Sequence, residues 1–382
     1  MYIPNLTDVL AARALIEPHI HRTPVLTSTF INGLAGAELF FKCENLQKAG
    51  AFKARGASNA VFGLNDEQAK KGVATHSSGN HGTCLSYAAG RRGIPCTVVM
   101  PRTAPQTKKD AVKGYGGRVV ECEASTSSRE AVFAEVVAET GAEFVHPYND
   151  PRVIAGQATC SRELVEQVDG LDAVIAPIGG GGMVSGTCLT LAHDAPGMAI
   201  YAAEPEQADD AYRSFKAGRI IADDAPETVA DGLKVPLKEL TWHFVKNNVT
   251  DILTASEQEI VDAMKLIWKR MKIVMEPSSA VPLATILKNP DVFAGKRVGG
   301  LQKRGAARRR PERGPGRKGC GRRLGDGDRL LCGGRCRLAG DLAGHRVQAA
   351  EGCARGRRAG RDSLILHVFP PLRLRWCATH LI

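Results

Sequence analysis

The chain is 382 residues long, 43% hydrophobic and 24% charged, with a formal net charge of +11. That length exceeds one small domain, no apolar run approaches the roughly 18 residues of a membrane span, and the N-terminus lacks a basic-then-apolar leader, so a cytoplasmic protein without membrane contact is expected. The charge is unevenly placed: residues 301–382 carry 20 Lys+Arg against 6 Asp+Glu, whereas residues 1–300 carry 31 against 34, which excludes a generally basic, nucleic-acid-coating body.

Taken in order, Asn5–Glu17 reads as a helix, with Ala, Leu and Ile at helical spacing. Leu39–Cys43 is a short apolar strand. Val73–His76, Thr97–Met100, Arg118–Glu121 and Glu143–His146 follow as buried strands, separated by helical runs at about 80–91, 105–113 and 128–140. The alternation resumes with strand Asp172–Ala176, a helix over about 183–193 and strand Ala199–Glu204, then helices Glu257–Met271 and Pro277–Leu287. Strands spaced by helices of this length imply parallel βαβ units. The expected fold is α/β, with two open, mostly parallel twisted sheets covered by helices on both faces. Ligands in such sheets lie beyond the carboxyl ends of the strands. Six cysteines of the body (Cys43, Cys84, Cys96, Cys122, Cys160, Cys188) are scattered without CxxC spacing, which argues against a zinc site or a disulfide framework.

After Val298 the composition changes. The last 82 residues contain 18 Arg, 14 Gly and five Cys, with no sustained period. One reading is a disordered basic arm that binds nucleic acid. The other is out-of-frame or unspliced sequence, preferred because five cysteines and an apolar Trp-Cys end are foreign to a selected basic arm.

Three blocks carry the chemistry. In Asn45–Gly56 a lysine, Lys53, sits between Phe52 and Ala54 in a mostly neutral run; an amine desolvated there loses basicity and condenses with an aldehyde. Read alone, Lys53 would merely open a surface helix. In Ser77–Gly82 (SSGNHG), Ser and Asn groups stand at a strand-to-helix turn suited to a carboxylate or phenolic oxygen, or to plain N-capping. Gly179–Gly182, followed by Met183, link a strand to a helix and let successive N–H groups face one anion. Together these are the parts of a pyridoxal phosphate (PLP) site.

From about Leu6 to Val298 the chain resembles the serine racemase and serine/threonine dehydratase family of fold-type II PLP enzymes. The ordered motifs FKCENLQKAGAFKARGA, THSSGNHG, HPYNDPRVIAGQ, APIGGGGMVSG, YAAEPEQADD and MEPSSA carry the resemblance. It implies a catalytic body over 1–300, with a small lobe at about 50–148 inserted in a larger one, and a tail over 301–382. It implies that Lys53 is the Schiff-base lysine and base on one face of the cofactor, with Phe52 packed beside the ring. Asn80 would bond the cofactor's 3′ oxygen, Gly179, Gly180, Gly181, Gly182 and Met183 would cradle its phosphate, and Glu276 would lie near the ring. Ser77, Ser78, Asn80 and His81 would surround the substrate carboxylate, with Arg129 approaching it.

Ser78 is the discriminating position, because inverting a chiral carbon needs a proton donor on the face opposite Lys53. Serine racemase activity with serine and threonine ammonia-lyase activity is therefore expected. A threonine or 3-hydroxyaspartate dehydratase is the alternative, and an inactive PLP-fold protein with a nucleic-acid-binding tail is the rival of another class. The resemblance further implies Mg2+ or Ca2+ at Glu204, Ala208 (by its backbone oxygen) and Asp210, where composition alone suggests a solvated acidic loop. It places ATP, as an activator, at Lys48, Thr83 and Tyr115, although Ala49 and Thr83 depart from that pattern. A homodimer is the expected assembly.

The chain also departs from the family at its close. The family ends with a strand and a Ser-Gly-Gly-Asn turn whose hydroxyl bonds the pyridine nitrogen. Here Gly295–Gly299 begins that strand, Gly300-Leu301-Gln302-Lys303 follows, and no such turn occurs downstream. The expectation is a last core strand and cofactor wall that are missing or replaced, with weak cofactor binding, low activity and reduced stability. Val235 is a second departure, where some racemases carry a substrate-contacting Ser.

Overall fold

A computed structural model describes residues 1–77, 79–222 and 226–303. Ser78 and the basic tail from residue 304, with the two readings of that tail, lie outside the described residues. The strands are β1 (Val25–Leu26), β2 (Glu38–Cys43), β3 (Val73–His76), β4 (Cys96–Pro101), β5 (Arg118–Cys122), β6 (Glu143–Phe144), β7 (Ala173–Pro177), β8 (Ala199–Pro205), β9 (Asp251–Ala255) and β10 (Arg297–Gln302). They form a six-stranded sheet in the order β1-β2-β10-β7-β8-β9 and a four-stranded sheet in the order β5-β4-β3-β6. Every pairing is parallel except β1 with β2. The expected α/β architecture of two mostly parallel sheets is therefore present.

Both sheets are buried on two sides, as parallel sheets must be. Helices Glu257–Met271 and Pro277–Lys288 cover one face of the larger sheet with a core that includes Ile175, Phe293 and Val298. Helices Pro151–Gln167, Gly182–Asp194 and Glu239–Asn248 cover the other, packing Leu164, Val174, Leu191 and Leu301. The smaller sheet lies between helices Lys53–Phe62 and Asn80–Arg92 on one side and Thr126–Thr140 on the other. Helix Pro151–Gln167 was not read from the sequence; in the fold it is buried without a break from Val153 to Ser161.

The expectation of a broken last strand is corrected. β10 runs through Gln302 in the middle of the larger sheet, paired with β2 from Arg297↔Glu38 to Gln302↔Cys43 and with β7 at Val298, Gly299 and Gly300. The reason is physical: a ladder is made by backbone groups, and Val298 and Leu301 still fill the core completely. The altered side chains carry a cost instead. Gln302 is fully buried and neither polar atom of its amide has a hydrogen-bond partner among the described residues.

One buried ionic cluster ties the lysine-bearing helix to the rest. Arg55 donates to both Glu44 oxygens (2.8 and 2.7 Å) and to both Glu163 oxygens (2.7 and 2.8 Å), with a further bond to Thr159 Oγ1 at 3.1 Å. Lys42 Nζ joins Glu163 at 2.7 Å, and Thr23 Oγ1 donates to Glu44 at 2.6 Å. The cluster thereby connects β2, the turn after it, helix Lys53–Phe62 and helix Pro151–Gln167.

Candidate active site

The glycine loop leaves β7 at Pro177 and enters helix Gly182–Asp194. The first amides of a helix have no intrahelical acceptor, and the helix dipole makes that end positive, so the loop presents donors to an anion. Gly181 has φ +82°, a conformation that favours glycine. Gly180 is dictated by contact: a Cβ there would lie 2.6 Å from the Tyr148 ring. Gly180→Ala must therefore displace either the loop or Tyr148. It is expected to weaken binding of a phosphate-bearing cofactor by about tenfold or more, the consequence of overpacking by 1–3 kcal/mol. Fluorescence titration of the apoprotein with PLP measures it.

Lys53 opens helix Lys53–Phe62, directly after the buried Phe52. Its Nζ donates to the Pro147 carbonyl at 2.6 Å and lies 5.0 Å from the Phe52 ring centroid. Burial, then the charge of Lys303, lower its pKa to about 7, against a small opposing effect of Cys84. An amine in that range is a free base in substantial part at neutral pH and fully so above it, which makes it available for nucleophilic and general-base chemistry.

Residues distant in sequence meet here. Asn80, at the start of helix Asn80–Arg92, donates from Nδ2 to Glu276 Oε1 at 3.3 Å, joining two residues that the sequence placed near one cofactor ring. Ser77 Oγ accepts the Gly79 N–H at 3.3 Å, an ordinary turn contact. His81 is buried with its Nε2 3.0 Å from the Val145 carbonyl. A carbonyl only accepts, so Nε2 carries the proton and Nδ1 is a buried acceptor without a hydrogen-bond partner among the described residues. Burial, followed by the Lys53 charge, pushes His81 down to about 3, and the ring is neutral. Met183 is buried behind the loop, among Phe52 and Ile178.

Arg129 lies on helix Thr126–Thr140, and its charge acts on His76, Tyr148 and Cys122. Its Nε is buried and has no hydrogen-bond partner among the described residues. An arginine donor in that condition suits an anion brought by a ligand.

Glu204, at the end of β8, is fully buried and accepts the Ala211 and Tyr212 N–H groups at 3.1 and 2.8 Å. Burial, then the charge of Asp210, raise its pKa well above the carboxylate range. Ala208 and Asp210 are buried beside it in sequence. Two buried carboxylates that repel one another fit a cation between them, although no group of three or more His, Cys, Asp or Glu gathers among the described residues. Of the residues expected at a nucleotide site, Thr83 is buried and Tyr115 is exposed, its ring packed edge-on against Tyr87 at 5.5 Å. Val235 is exposed.

Sequence reading missed Tyr148, His146 and Lys303. The first two lie in the HPYND segment, noted only as a motif. Tyr148 walls the glycine loop, and His146 Nδ1 accepts the Tyr148 and Asn149 N–H groups at 3.2 and 2.9 Å, which shapes that segment. Lys303 stands at the end of β10, in a stretch read as foreign. The period-free composition around it gave no signal.

A lysine of lowered basicity, an amide-lined glycine turn and an arginine whose Nε has no partner among the described residues fit an aldehyde cofactor that carries a phosphate. Residues 16–300 match the family described as "Pyridoxal-phosphate dependent enzyme", and the chain belongs to that family. Within it, the chain is 76% identical over 299 residues to a β-hydroxyaspartate dehydratase of Paracoccus denitrificans, covering 78% of this chain and 95% of that protein. It is 50% identical over 286 residues to a serine racemase of Dictyostelium discoideum, covering 74% and 88%. A crystal structure of serine racemase from that organism superposes with TM-score 0.77 at 48% identity, covering 80% of this chain and 99% of the other. The structure of maize serine racemase gives 0.79 at 45%, covering 80% and 95%. No helix among the described residues is long and apolar enough to cross a membrane.

Proposed function

We propose that this chain is a PLP-dependent ammonia-lyase for β-hydroxy amino acids, with β-hydroxyaspartate as its preferred substrate. The observation that supports this reading is Arg129, a partly buried arginine whose Nε has no hydrogen-bond partner among the described residues and whose positive charge acts on Tyr148 beside the glycine loop. A substrate with two carboxylates matches that charge better than serine or threonine does. The 76% identical relative named for this substrate supports the same choice.

When bound, PLP supplies the electron sink that lets a proton leave the substrate α-carbon. The chain's own residues do the rest. The Gly179–Gly182 turn holds the phosphate. Lys53 is the residue that would hold the cofactor at its aldehyde, and its amine, with its pKa lowered to about 7, would serve as the base for the substrate α-proton. Asn80, oriented by Glu276, holds the phenolic side of the ring, and Arg129 receives a substrate carboxylate. The β-hydroxyl would leave as water, and hydrolysis of the resulting 2-imino acid by one water would release ammonia and give a 2-oxo acid. Glu204, the Ala208 carbonyl and Asp210 are proposed to hold a divalent cation that relieves their mutual repulsion. Lys303, standing where the family has its terminal turn, is inferred to lower cofactor affinity.

Serine racemization is the second reading. The presence of a serine at position 78, which the family resemblance makes a proton donor, favours it, and the relatives near 50% identity are named for that activity. Turnover on β-hydroxyaspartate, L-serine and L-threonine, with chiral analysis of residual serine, separates the readings. The expected result is a kcat/KM for β-hydroxyaspartate at least ~100-fold above the others, since a site built to bind a polar group rejects analogues lacking it. Comparable turnover of serine with D-serine formation would overturn it.

A further inference from the structure

Between β6 and helix Pro151–Gln167 the chain makes one turn that touches three parts of the site. The Pro147 carbonyl accepts from Lys53 Nζ at 2.6 Å. Tyr148 packs on the glycine loop at two points: a Cβ on Gly180 would lie 2.6 Å from its ring, and one on Gly182 2.9 Å from its own Cβ. Asn149 Oδ1 accepts the Leu240 N–H at 3.2 Å, at the start of helix Glu239–Asn248, whose Thr241 stands against Gly181. The turn is closed by a side chain. His146 Nδ1 accepts two successive N–H groups, those of Tyr148 and Asn149, at 3.2 and 2.9 Å. An imidazole accepts at Nδ1 only when it is neutral and carries its proton on Nε2. Burial, then the charge of His76, push His146 down to about 3, so that form persists at neutral pH.

We propose that His146 is a positioning residue, whose Nδ1 fixes the 147–149 turn so that the Pro147 carbonyl aims the Lys53 amine while Tyr148 holds the phosphate loop. This rests on the PLP reading of the site. The effect falls on the states in which Lys53 carries a free amine, namely capture of the cofactor and receipt of the substrate α-proton. The His146 ring also packs edge-on against Phe144 at 5.7 Å and His76 at 6.0 Å. A merely structural role would therefore belong to the ring, and the positioning role belongs to one nitrogen.

Two variants of the full-length protein separate the roles. His146→Asn keeps an acceptor near the place of Nδ1 and removes the ring; His146→Phe keeps the ring and removes the acceptor. Association of PLP with each apoprotein is followed by stopped-flow absorbance at slightly alkaline pH, beside a denaturation curve. Capture is expected within about threefold of wild type in His146→Asn and at least about tenfold slower in His146→Phe, since two backbone donors lose their acceptor and the turn is released from Lys53. The reverse order, or no difference between the two variants, would overturn the proposal. Should His146→Phe not fold, nitrogen NMR of the wild-type histidine rings decides, with the His146 signal assigned by its absence from His146→Asn. A proton on Nε2 and a hydrogen-bonded, unprotonated Nδ1 at neutral pH support the proposal, and a proton on Nδ1 overturns it. Wild type that takes up no PLP would overturn the cofactor reading, and the proposal with it, so the two failures are distinguishable.

Discussion

Lys53→Ala is expected to lower turnover by at least about 10³-fold, because it removes both the amine that anchors the cofactor and the base that takes the α-proton. Lys53→Arg is expected to lose as much. It retains a cation in the same place but has no amine able to condense, so the comparison separates charge from chemistry. Neither loss requires unfolding: the Lys53 amine makes its hydrogen bond to one carbonyl, that of Pro147, and burying it costs stability rather than adding any. Release of 2-oxo acid, alongside a denaturation curve for each variant, checks both halves of the expectation. The pH dependence follows from the same environment. A base with a lowered pKa is free above that value and protonated below it. Capture of PLP by the apoprotein is therefore expected to be fast above about pH 7 and to slow as pH falls through it. For an unperturbed lysine the same limb would lie near pH 10.4. A capture rate still rising steeply between pH 8 and 10 would show that Lys53 is not the amine the structure describes.

How much of this was legible beforehand depended on whether a feature is local. Val73–His76 and Glu257–Met271 were read to the residue because their periodicity and caps lie within the element; Ser256 and Glu259, for instance, form a capping box. Gly179–Gly182 was likewise readable from a strand, a glycine run and a helix in succession. What the sequence concealed was set by packing. Tyr148 matters because it lies on Gly180, 32 positions away, and no local pattern announces that contact. β9 went unnoticed because Asp251-Ile252-Leu253-Thr254-Ala255 is short and only partly buried. β10 was misjudged for a different reason. Its expected side chains are absent, and the ladder that survives is a property of backbone groups, which composition does not report. Asn80 and Glu276 were each placed near the cofactor by resemblance, yet their mutual hydrogen bond emerged only from the fold.

Arg55→Met is expected to be the most destabilising single change in the described body, by about 3–5 kcal/mol, since it strands buried carboxylates without their cation. Arg55 is completely buried and is the shared donor for Glu44 and Glu163, which are themselves buried. Burial alone would push Glu163 up, but hydrogen bonds and charge from Arg55 and Lys42 outweigh it and hold the pKa below the usual range. A carboxylate depressed in the folded state stabilises above its unfolded pKa, near 4.3, and that contribution is lost as pH falls through the lower folded value. Wild type should accordingly weaken in acid below about pH 4, whereas in Arg55→Met the weakening should begin at higher pH, because Glu163 loses its main partner. Urea denaturation at fixed PLP concentration measures the difference, cofactor being held constant because binding itself adds stability. A loss below about 1 kcal/mol would mean that water reaches the cluster and solvates the stranded carboxylates. The expected size of the effect follows from asymmetry. A complete ionic cluster is weak evidence of net stabilisation, but a cluster missing its central cation leaves Glu44 and Glu163 paying desolvation with little in return. Lys42 can still reach Glu163 at 2.7 Å, so Glu44, whose charged partner is Arg55, should bear most of the penalty. Glu44→Gln in the Arg55→Met background is therefore expected to recover more stability than Glu163→Gln does.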